Sequence, residues 1–462
     1  GFSILVFTMN QELITMNVIT AGQATTCPTI KDIKNPTHVP PATPAVIPIP
    51  SFSQKLSMLI FYCMLWLILI FSLITRLWNL SYPPNFYFDE VYNAFTTQEF
   101  VKGNKAAYEW FHTSPIAGTA YGWTHPPLAK LLGAVGILIF GPNAFGWRIA
   151  NVLIGTGVIY LVYLISKELL STEYWALFSA GLASFDGLLL TSSRINMNDI
   201  VATFFILLSF WAFIKYQLNP EKVSLLRLGL ILGLLISTKW TGLYAIALFG
   251  TWIGLQNLRK VKNWPSILVS LLFFPAVLYV LSYSQYFILG GTWKNFLELQ
   301  NQMWWYNTRL TATHTYQSSW VKWPIMLRPV WYFVDYAGTE IANIYGMGNP
   351  ILWWLGIPAL LYTLYSSLKT RSWRLWLVIC GFLAFWLPWA RAPRIMFLYH
   401  YLPSVPFLCI ALAYSLSKFP RWVTLGSSIL ILGSFIYFYP HWTAIYVPQS
   451  WAKQYFWLPS WK

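Results

Sequence analysis

The chain has 462 residues, of which 57% are hydrophobic and only 10% are charged, and its formal net charge is +16. Soluble globular domains carry about 25% charged residues, so this composition excludes an ordinary soluble protein and indicates an all-α polytopic membrane protein. In such a protein the positive charge is explained by basic cytoplasmic loops and by contact with anionic lipid head groups. We therefore expect the lipid bilayer, and not nucleic acid, as a partner.

The first fifty residues differ from the rest, because they are rich in Thr and Pro and end in NPTHVPPATPAVIPIP. This composition predicts a disordered or extended leader over residues 1–54. We expect the transmembrane domain to occupy residues 55–440 and a short extracytoplasmic tail to follow at 441–462. The four cysteines have no CxxC or metal-site spacing, so the sequence predicts neither a disulfide framework nor a zinc site.

Apolar segments predict about eleven transmembrane helices, near 56–77, 145–166, 174–192, 197–215, 225–238, 241–257, 264–287, 350–368, 374–390, 396–416 and 421–438. Twenty apolar residues cross a hydrocarbon core of about 30 Å. With a cytoplasmic N-terminus, nearly every basic loop lies on the cytoplasmic side, as the positive-inside rule requires. The exception is RAPR at 391–394. The two segments that meet at 238–240 could instead be short or re-entrant.

This threading leaves two large extracytoplasmic loops, 78–144 and 288–349. Connections of this length in a compact membrane protein usually carry function. The first loop contains the adjacent acids Asp89 and Glu90. It also contains an apolar segment at 125–140 that is too short to span, which predicts a helix lying in the membrane interface.

The Asp89-Glu90 pair allows two interpretations. Asp89 could cap a short helix that runs from Glu90 to Val101, with its carboxylate on the first free amides. Alternatively, one carboxylate lies at the rim of a membrane cavity, where partial desolvation would raise its pKa and suit it to act as a general base. Because neighbouring residues point in different directions, the second acid could position the first.

Basic residues beside the apolar segments are candidates for binding an anion. Arg148 has no carboxylate nearby in sequence, so a phosphate partner is plausible for its guanidinium. Arg394 lies on the side that the positive-inside rule does not favour, and either a phosphate or simple snorkelling to the interface explains it. Arg194 could pair with Asp186 or Asp199, because a charge at membrane depth normally has a partner.

His125 precedes two prolines, which hold its backbone extended, and Lys130 follows one turn later. Either side chain could meet a phosphate or a hydroxyl, although a lone histidine is more often structural. Carboxylates and basic residues on the outer face favour group transfer from a lipid-phosphate donor. An ion-coupled transporter would use the same residue types, so that class stays open.

Eight blocks occur in one order along the chain: FDEVYNAF, THPPLAKLL, WRIANVLIG, FDGLLLTSSRINMNDI, STKWTGLY, THTYQSSWVKWPIMLRPVWYF, GNPILWWLG and RIMFLYHYLPSVPFL. In this order they closely resemble the protein O-mannosyltransferases, from about residue 56 to 440. These are integral-membrane glycosyltransferases of the GT-C fold. The resemblance implies an inverting transfer of mannose from a polyprenyl (dolichyl-type) phosphate to Ser/Thr hydroxyls of secreted proteins. It implies no required cofactor, although two outer-loop acids could hold a divalent cation.

The resemblance also suggests roles for single residues. It assigns catalysis to Asp89 and Glu90, with Asp89 as the base. Donor phosphate binding is expected at Arg148, Arg394 and Lys130. The side chains expected to bind substrate in the acceptor or sugar pocket are His125, His314, Tyr316 and Arg328.

One departure from the family pattern affects the expected substrate. Eukaryotic members insert a β-trefoil MIR domain before the eighth span, and the loop at 288–349 is too short to contain one. The chain therefore resembles a bacterial member, and related bacterial enzymes of this fold glycosylate lipids. Fold does not fix the substrate, so transfer of another sugar, or transfer to a lipid, is the alternative reaction. The non-enzymatic alternative is a transporter or scaffold.

Overall fold

A computed structural model of the protein describes residues 52–220 and 224–462. The leader expected at 1–54 lies outside the described residues, apart from 52–54, which begin the first helix. The helices are α1 Phe52–Leu77, α2 Asn93–Val101, α3 Leu128–Phe140, α4 Ala144–Leu170, α5 Glu173–Ser184, α6 Gly187–Ser193, α7 Asn198–Leu218, α8 Leu225–Ile236, α9 Gly242–Gln256, α10 Trp264–Leu268, α11 Phe274–Ser282, α12 Ser284–Ile288, α13 Trp293–Arg309, α14 Pro350–Thr370, α15 Trp373–Trp386, α16 Val405–Leu416, α17 Arg421–Thr443 and α18 Gln449–Ala452.

The protein is a multi-pass helical membrane protein. Within the described residues, seven helices are long and apolar enough to cross a membrane, and there are eight if the bent pair α5 and α6 forms one span. The expected count of eleven is not confirmed. The other three predicted spans correspond to α8, α9 and α16, which have 12, 15 and 12 residues. The polar sequence Ser237-Thr238-Lys239 interrupts the apolar run between α8 and α9.

The helices differ strongly in how much of their surface is covered. In the most apolar window of α7, 72% of the residues are buried, against 11% in that of α1. α7 packs against α4, α8 and the short 3-10 helix Leu398–Ser404. An apolar helix with most of its surface exposed, such as α1, is suited to contact with lipid, whereas α7, which begins at Asn198, lies largely inside the protein.

The segment 288–349 contains a hairpin that the all-α expectation did not include. Strand β1 (Val330–Ala337) pairs antiparallel with β2 (Glu340–Gly346), and β3 (Val447–Pro448) pairs with the start of β2. The sequence VWYFVDYAGTEIANIYG is rich in aromatic and β-branched residues around Gly338, which has a positive φ of 60°. These are hairpin signals. The C-terminal residues pack against the same segment, since the Trp461 indole donates to the Met326 carbonyl, just before β1, at 2.6 Å.

Candidate active site

A polar cavity of about 530 Å³ lies where the two predicted loops meet the ends of several helices. From the first loop it takes residues 88–89, 91–93 and 120–125, and from the second it takes Tyr306, Leu310 and residues 312–314. The N-terminus of α7, Lys239 and residues 394–400 complete the lining. The structure therefore brings together two segments that are about two hundred residues apart in sequence.

The backbone before Asp89 turns in a conformation that few side chains adopt. Phe88 has a positive φ of 49°, which for a bulky residue costs about 1–3 kcal/mol and persists only where the surroundings enforce it. Its ring stacks on Tyr332 with the centroids 4.3 Å apart and meets Tyr399 edge-on at 5.8 Å. These contacts with the β-hairpin and with the segment before α16 hold the turn that places Asp89 in the cavity wall.

Asp89 has a half-buried side chain that lines the cavity. Within the described chain its carboxylate forms no hydrogen bond or ion pair; only its backbone carbonyl accepts bonds, from Tyr92 and Asn93. The capping interpretation is therefore wrong, because α2 begins at Asn93 without a side-chain cap. Burial, followed by the negative charge of Asp199, raises the pKa of Asp89 to about 7. A carboxyl group with this pKa can accept a proton near neutral pH.

Glu90 has the opposite environment. It is fully buried, and its two oxygens accept bonds from Arg148 Nε at 2.8 Å and Arg148 Nη2 at 2.7 Å. The main-chain N–H group of Asn196 donates to the same carboxylate at 3.1 Å. Glu90 does not line the cavity. Its buried bonds to Arg148 and Asn196 instead hold the loop in place.

Arg148 is saturated by protein groups. Besides Glu90, it donates to the carbonyls of Leu80, Pro83 and Asn85 at 2.9, 2.8 and 3.3 Å. It is fully buried and does not line the cavity. The expectation that it binds the donor phosphate fails on this geometry, because no N–H group of its guanidinium is directed to the cavity. Its bonds instead fix the loop that leads to Asp89.

Two other cations do line the cavity. Lys239 donates to Asp199 at 2.7 Å, and this pair is only slightly exposed. Arg394 donates through Nη1 to Asn307 of α13 and lies over the Tyr306 ring at 5.5 Å. Its Nε is buried and has no hydrogen-bond partner among the described residues. The expected anion-binding role therefore suits the position of Arg394, and Lys239 is a second candidate.

His125, which the sequence predicted to bind substrate, lines the cavity. Burial, together with the charges of Lys239, Lys130 and Arg394, lowers its pKa well below the usual value, so its ring is neutral near pH 7. Nearby, the lack of a side chain at Gly122 lets this part of the cavity wall pack closely against Lys130 and Tyr92. A Cβ at Gly122 would lie 3.0 Å from Lys130 Cε and 3.2 Å from the Tyr92 carbonyl oxygen.

The remaining predicted residues separate into two groups. His314 lines the cavity, and its Nδ1 accepts from the Tyr316 amide at 3.1 Å. Lys130, Tyr316 and Arg328 do not line it. Lys130 lies buried beneath Gly122 with no partner for Nζ in the described chain. Arg328 donates to the carbonyls of Thr315, Ser460 and Lys462, which ties the tail to the loop and leaves it no substrate role.

Arg194 pairs with neither of the acids considered from the sequence. Its Nη1 donates to the carbonyls of Thr75, Arg76 and Trp78, at the end of α1. Asp186 accepts instead from the main-chain N–H groups of Leu189 and Asn349 and from the Trp353 indole. Arg194 and Asp186 therefore both have hydrogen-bond partners within the protein.

The sequence did not single out Asp199, Lys239 or Tyr399 as site residues, although all three line the cavity. The only signal was a Lys at the break between two apolar segments, an expensive place for a charge without a function. Among the described residues, no three His, Cys, Asp or Glu side chains are grouped closely enough to hold a metal ion.

Comparison with known proteins agrees with this architecture. Residues 66–289 match the family model described as dolichyl-phosphate-mannose-protein mannosyltransferase. Residues 292–461 match a second model, described as the C-terminal four TMM region of protein-O-mannosyltransferase. The chain belongs to the protein O-mannosyltransferase family. The resemblance found in the sequence blocks is thereby confirmed.

Individual relatives extend over most of the chain. The polyprenol-phosphate-mannose–protein mannosyltransferase of Corynebacterium glutamicum is 28% identical, over 86% of this chain and 92% of its own. Among solved structures, the Saccharomyces cerevisiae protein O-mannosyltransferase Pmt1-Pmt2 complex bound to the sugar donor has a TM-score of 0.71 at 16% identity. That match covers 87% of this chain and 92% of the yeast chain. ArnT from Cupriavidus metallidurans, bound to undecaprenyl phosphate, has a TM-score of 0.55 at 15% identity, over 81% and 62% of the two chains. The fold is therefore GT-C.

Proposed function

We propose that this protein transfers mannose from a polyprenyl phosphate mannose donor to Ser or Thr hydroxyl groups of polypeptides, with inversion at the sugar. The names of the relatives support the reaction class, and one observation in the structure carries the mechanism. That observation is the Asp89 carboxylate, which has no partner among the described residues and lies in a cavity that Lys239 and Arg394 also line. A base and a cationic phosphate site are what a single inverting displacement needs.

The proposed reaction is one substitution at the anomeric carbon. The acceptor hydroxyl donates its proton to Asp89 while its oxygen forms the new bond to the anomeric carbon. The bond from that carbon to the phosphate oxygen breaks, and the electron pair leaves with the polyprenyl phosphate. Arg394 and Lys239 stabilise the phosphate charge that develops. A retaining reaction would need a second carboxylate as nucleophile, but Glu90 is paired with Arg148, and Asp199, which also lines the cavity, is paired with Lys239.

The lipid part of the donor has a separate apolar groove. The groove has a volume of about 560 Å³ and lies between α9 and α15, with Tyr244, Leu248 and Trp252 in its lining. Tyr244 also borders a small void together with Asp199, Lys239 and His400, and these three residues line the cavity. A polyprenyl chain in this groove would place its phosphate beside Lys239.

The side of the membrane follows from the charge pattern. We infer a cytoplasmic N-terminus and a cavity on the extracytoplasmic face of the plasma membrane, because this orientation leaves nearly all basic loops inside. A secreted acceptor and a lipid-linked sugar would meet on that face. Attaching a membrane-impermeant thiol reagent at single cysteines placed in 102–105 and 259–262 of a cysteine-free variant tests the orientation, since only the first site should react from outside.

The substrate class is tested with the purified protein in lipid vesicles. The donors are polyprenyl phosphates that carry mannose, glucose or galactose, and the acceptors are a Ser/Thr-rich peptide, the same peptide with Ala at each hydroxyl position, and a glycolipid. We expect mannose on the hydroxyl peptide alone. Transfer to the glycolipid only, or equal use of another sugar, would contradict the proposal and favour the alternative reaction.

A further inference from the structure

A second groove, distinct from the apolar groove, adjoins the cavity. Its volume is about 570 Å³, and residues 310–313, 317–319, 322 and 393–396 line it. It shares Leu310, Thr313 and Arg394, among others, with the cavity. A molecule that lies in this groove can therefore extend into the cavity that Asp89 lines.

Two segments without helix or strand, 310–313 and 393–396, form walls of this second groove, and several of their main-chain groups have no partner within the described chain. Within the described chain, the N–H and C=O groups of Thr311, Ala312 and Thr313 form no hydrogen bond. The same is true of the main-chain groups of Ile395 on the opposite wall. One bond joins the walls, from the Ser318 amide to the Met396 carbonyl at 2.9 Å. Exposed edges of this kind are suited to pairing with an added extended strand.

The second groove is also positively charged. Lys322 is exposed beside it, Arg394 lies at its junction with the cavity, and its lining contains no carboxylate. Its other polar groups are uncharged Thr, Ser and Gln side chains. This chemistry fits a polar chain with neutral or acidic residues and disfavours a basic one.

We propose that the second groove binds the acceptor polypeptide as an extended strand, with the reactive Ser or Thr at the Thr313–Arg394 end. The inference rests on the proposed function and adds the location and the recognition rule of the acceptor. Main-chain pairing makes recognition tolerant of sequence, and Lys322 adds a preference for acidic residues that flank the hydroxyl. Donor and acceptor then reach the cavity from different grooves, the lipid from the α9–α15 groove and the peptide from this one.

The test measures acceptor KM at saturating donor for Ser/Thr peptides whose flanking residues are Glu, Gln or Lys. Wild type is compared with Lys322→Glu and with the matched control Lys294→Glu, an exposed Lys on α13 outside both grooves. We expect wild type and Lys294→Glu to prefer Glu flanks by about two- to fivefold, as is usual for exposed charge pairs, and Lys322→Glu to invert that order. A second series uses peptides N-methylated at single positions. Methylation at alternate residues should raise KM about two- to tenfold, because a strand directs every second amide to one neighbour.

The outcomes separate the two proposals. Transfer to peptides with the same KM for all flanks and all N-methyl positions would overturn the groove assignment and leave the mannosyltransferase function intact. Transfer to no peptide at all would contradict the proposed function, and the groove assignment would fall with it.

Discussion

The protein contains two ion pairs near the cavity, Glu90–Arg148 and Asp199–Lys239, and their surroundings differ. In the first pair both side chains are fully buried, and Arg148 has further bonds to three carbonyls. In the second pair Lys239 has one bond, to Asp199, and both residues line the cavity. A cation whose donors are all used by the protein maintains the structure, whereas one with free donors at a cavity wall can bind an anion.

The same contrast separates the adjacent residues Asp89 and Glu90. The Asp89 carboxylate has a raised pKa and no partner in the part of the chain that the structure describes, whereas the Glu90 carboxylate is bound by Arg148. Under the proposed function, the acidic motif therefore consists of a base, Asp89, and a neighbouring residue, Glu90, that holds its loop. Changes to the two ion pairs should accordingly have different consequences, and the predictions below compare them.

The largest effect is expected for Arg148→Met. It leaves Glu90 buried without its charge partner, which typically costs about 3–5 kcal/mol of folding free energy. We expect a large loss of folded protein, measured as a lower thermal midpoint in detergent by tryptophan fluorescence. A variant with normal stability and a raised donor KM would show instead that Arg148 binds the phosphate.

Lys239→Met should give a folded protein with weaker transition-state stabilisation. A charged hydrogen bond contributes about 1.5–3 kcal/mol, so kcat/KM for the donor should fall about 10- to 150-fold. The thermal midpoint should change much less than in Arg148→Met. Unchanged kinetics would remove Lys239 from the phosphate site and leave Arg394 as its candidate.

Asp199→Asn should have the smallest effect at neutral pH and a clear effect on the pH profile. Because Asp89 acts in its charged form, kcat/KM of the wild type should rise with pH through about 7 and then level off. Removing the negative charge of Asp199 lowers the pKa of Asp89, so the profile should move to lower pH. A profile of the variant that coincides with that of wild type would separate Asp199 from the base.

These differences show which features of the protein could be predicted from its sequence. Long apolar segments and the position of Asp89 could be predicted, because hydrophobicity and a rare acidic pair are local signals. The partner of Arg148 could not be predicted, because Glu90 lies 58 residues away and only the folded chain shows that the two side chains form an ion pair. Arg328 was misjudged for the same reason, because its acceptors Ser460 and Lys462 lie at the other end of the chain.

Lys239 and Asp199 show the complementary difficulty. In the sequence Asp199 was considered only as a partner of Arg194, and Lys239 only as part of a junction between two apolar segments. Their place in the cavity depends on the contact between the start of α7 and the break between α8 and α9. The spans themselves were overcounted for a related reason. Apolar composition alone does not separate a complete span from a 12-residue helix such as α8.

The most direct test of the account compares mannose transfer to a Ser/Thr-rich peptide by wild type, Asp89→Asn and the matched control Asp335→Asn. Asp335 lies on the β-hairpin outside the cavity, where it accepts from the hydroxyls of Tyr82 and Tyr446. At equal amounts of folded protein, we predict that Asp89→Asn lowers the rate by about 10²–10⁴-fold and that Asp335→Asn leaves it close to wild type. An Asp89→Asn variant with undiminished transfer would contradict the central claim that Asp89 is the base.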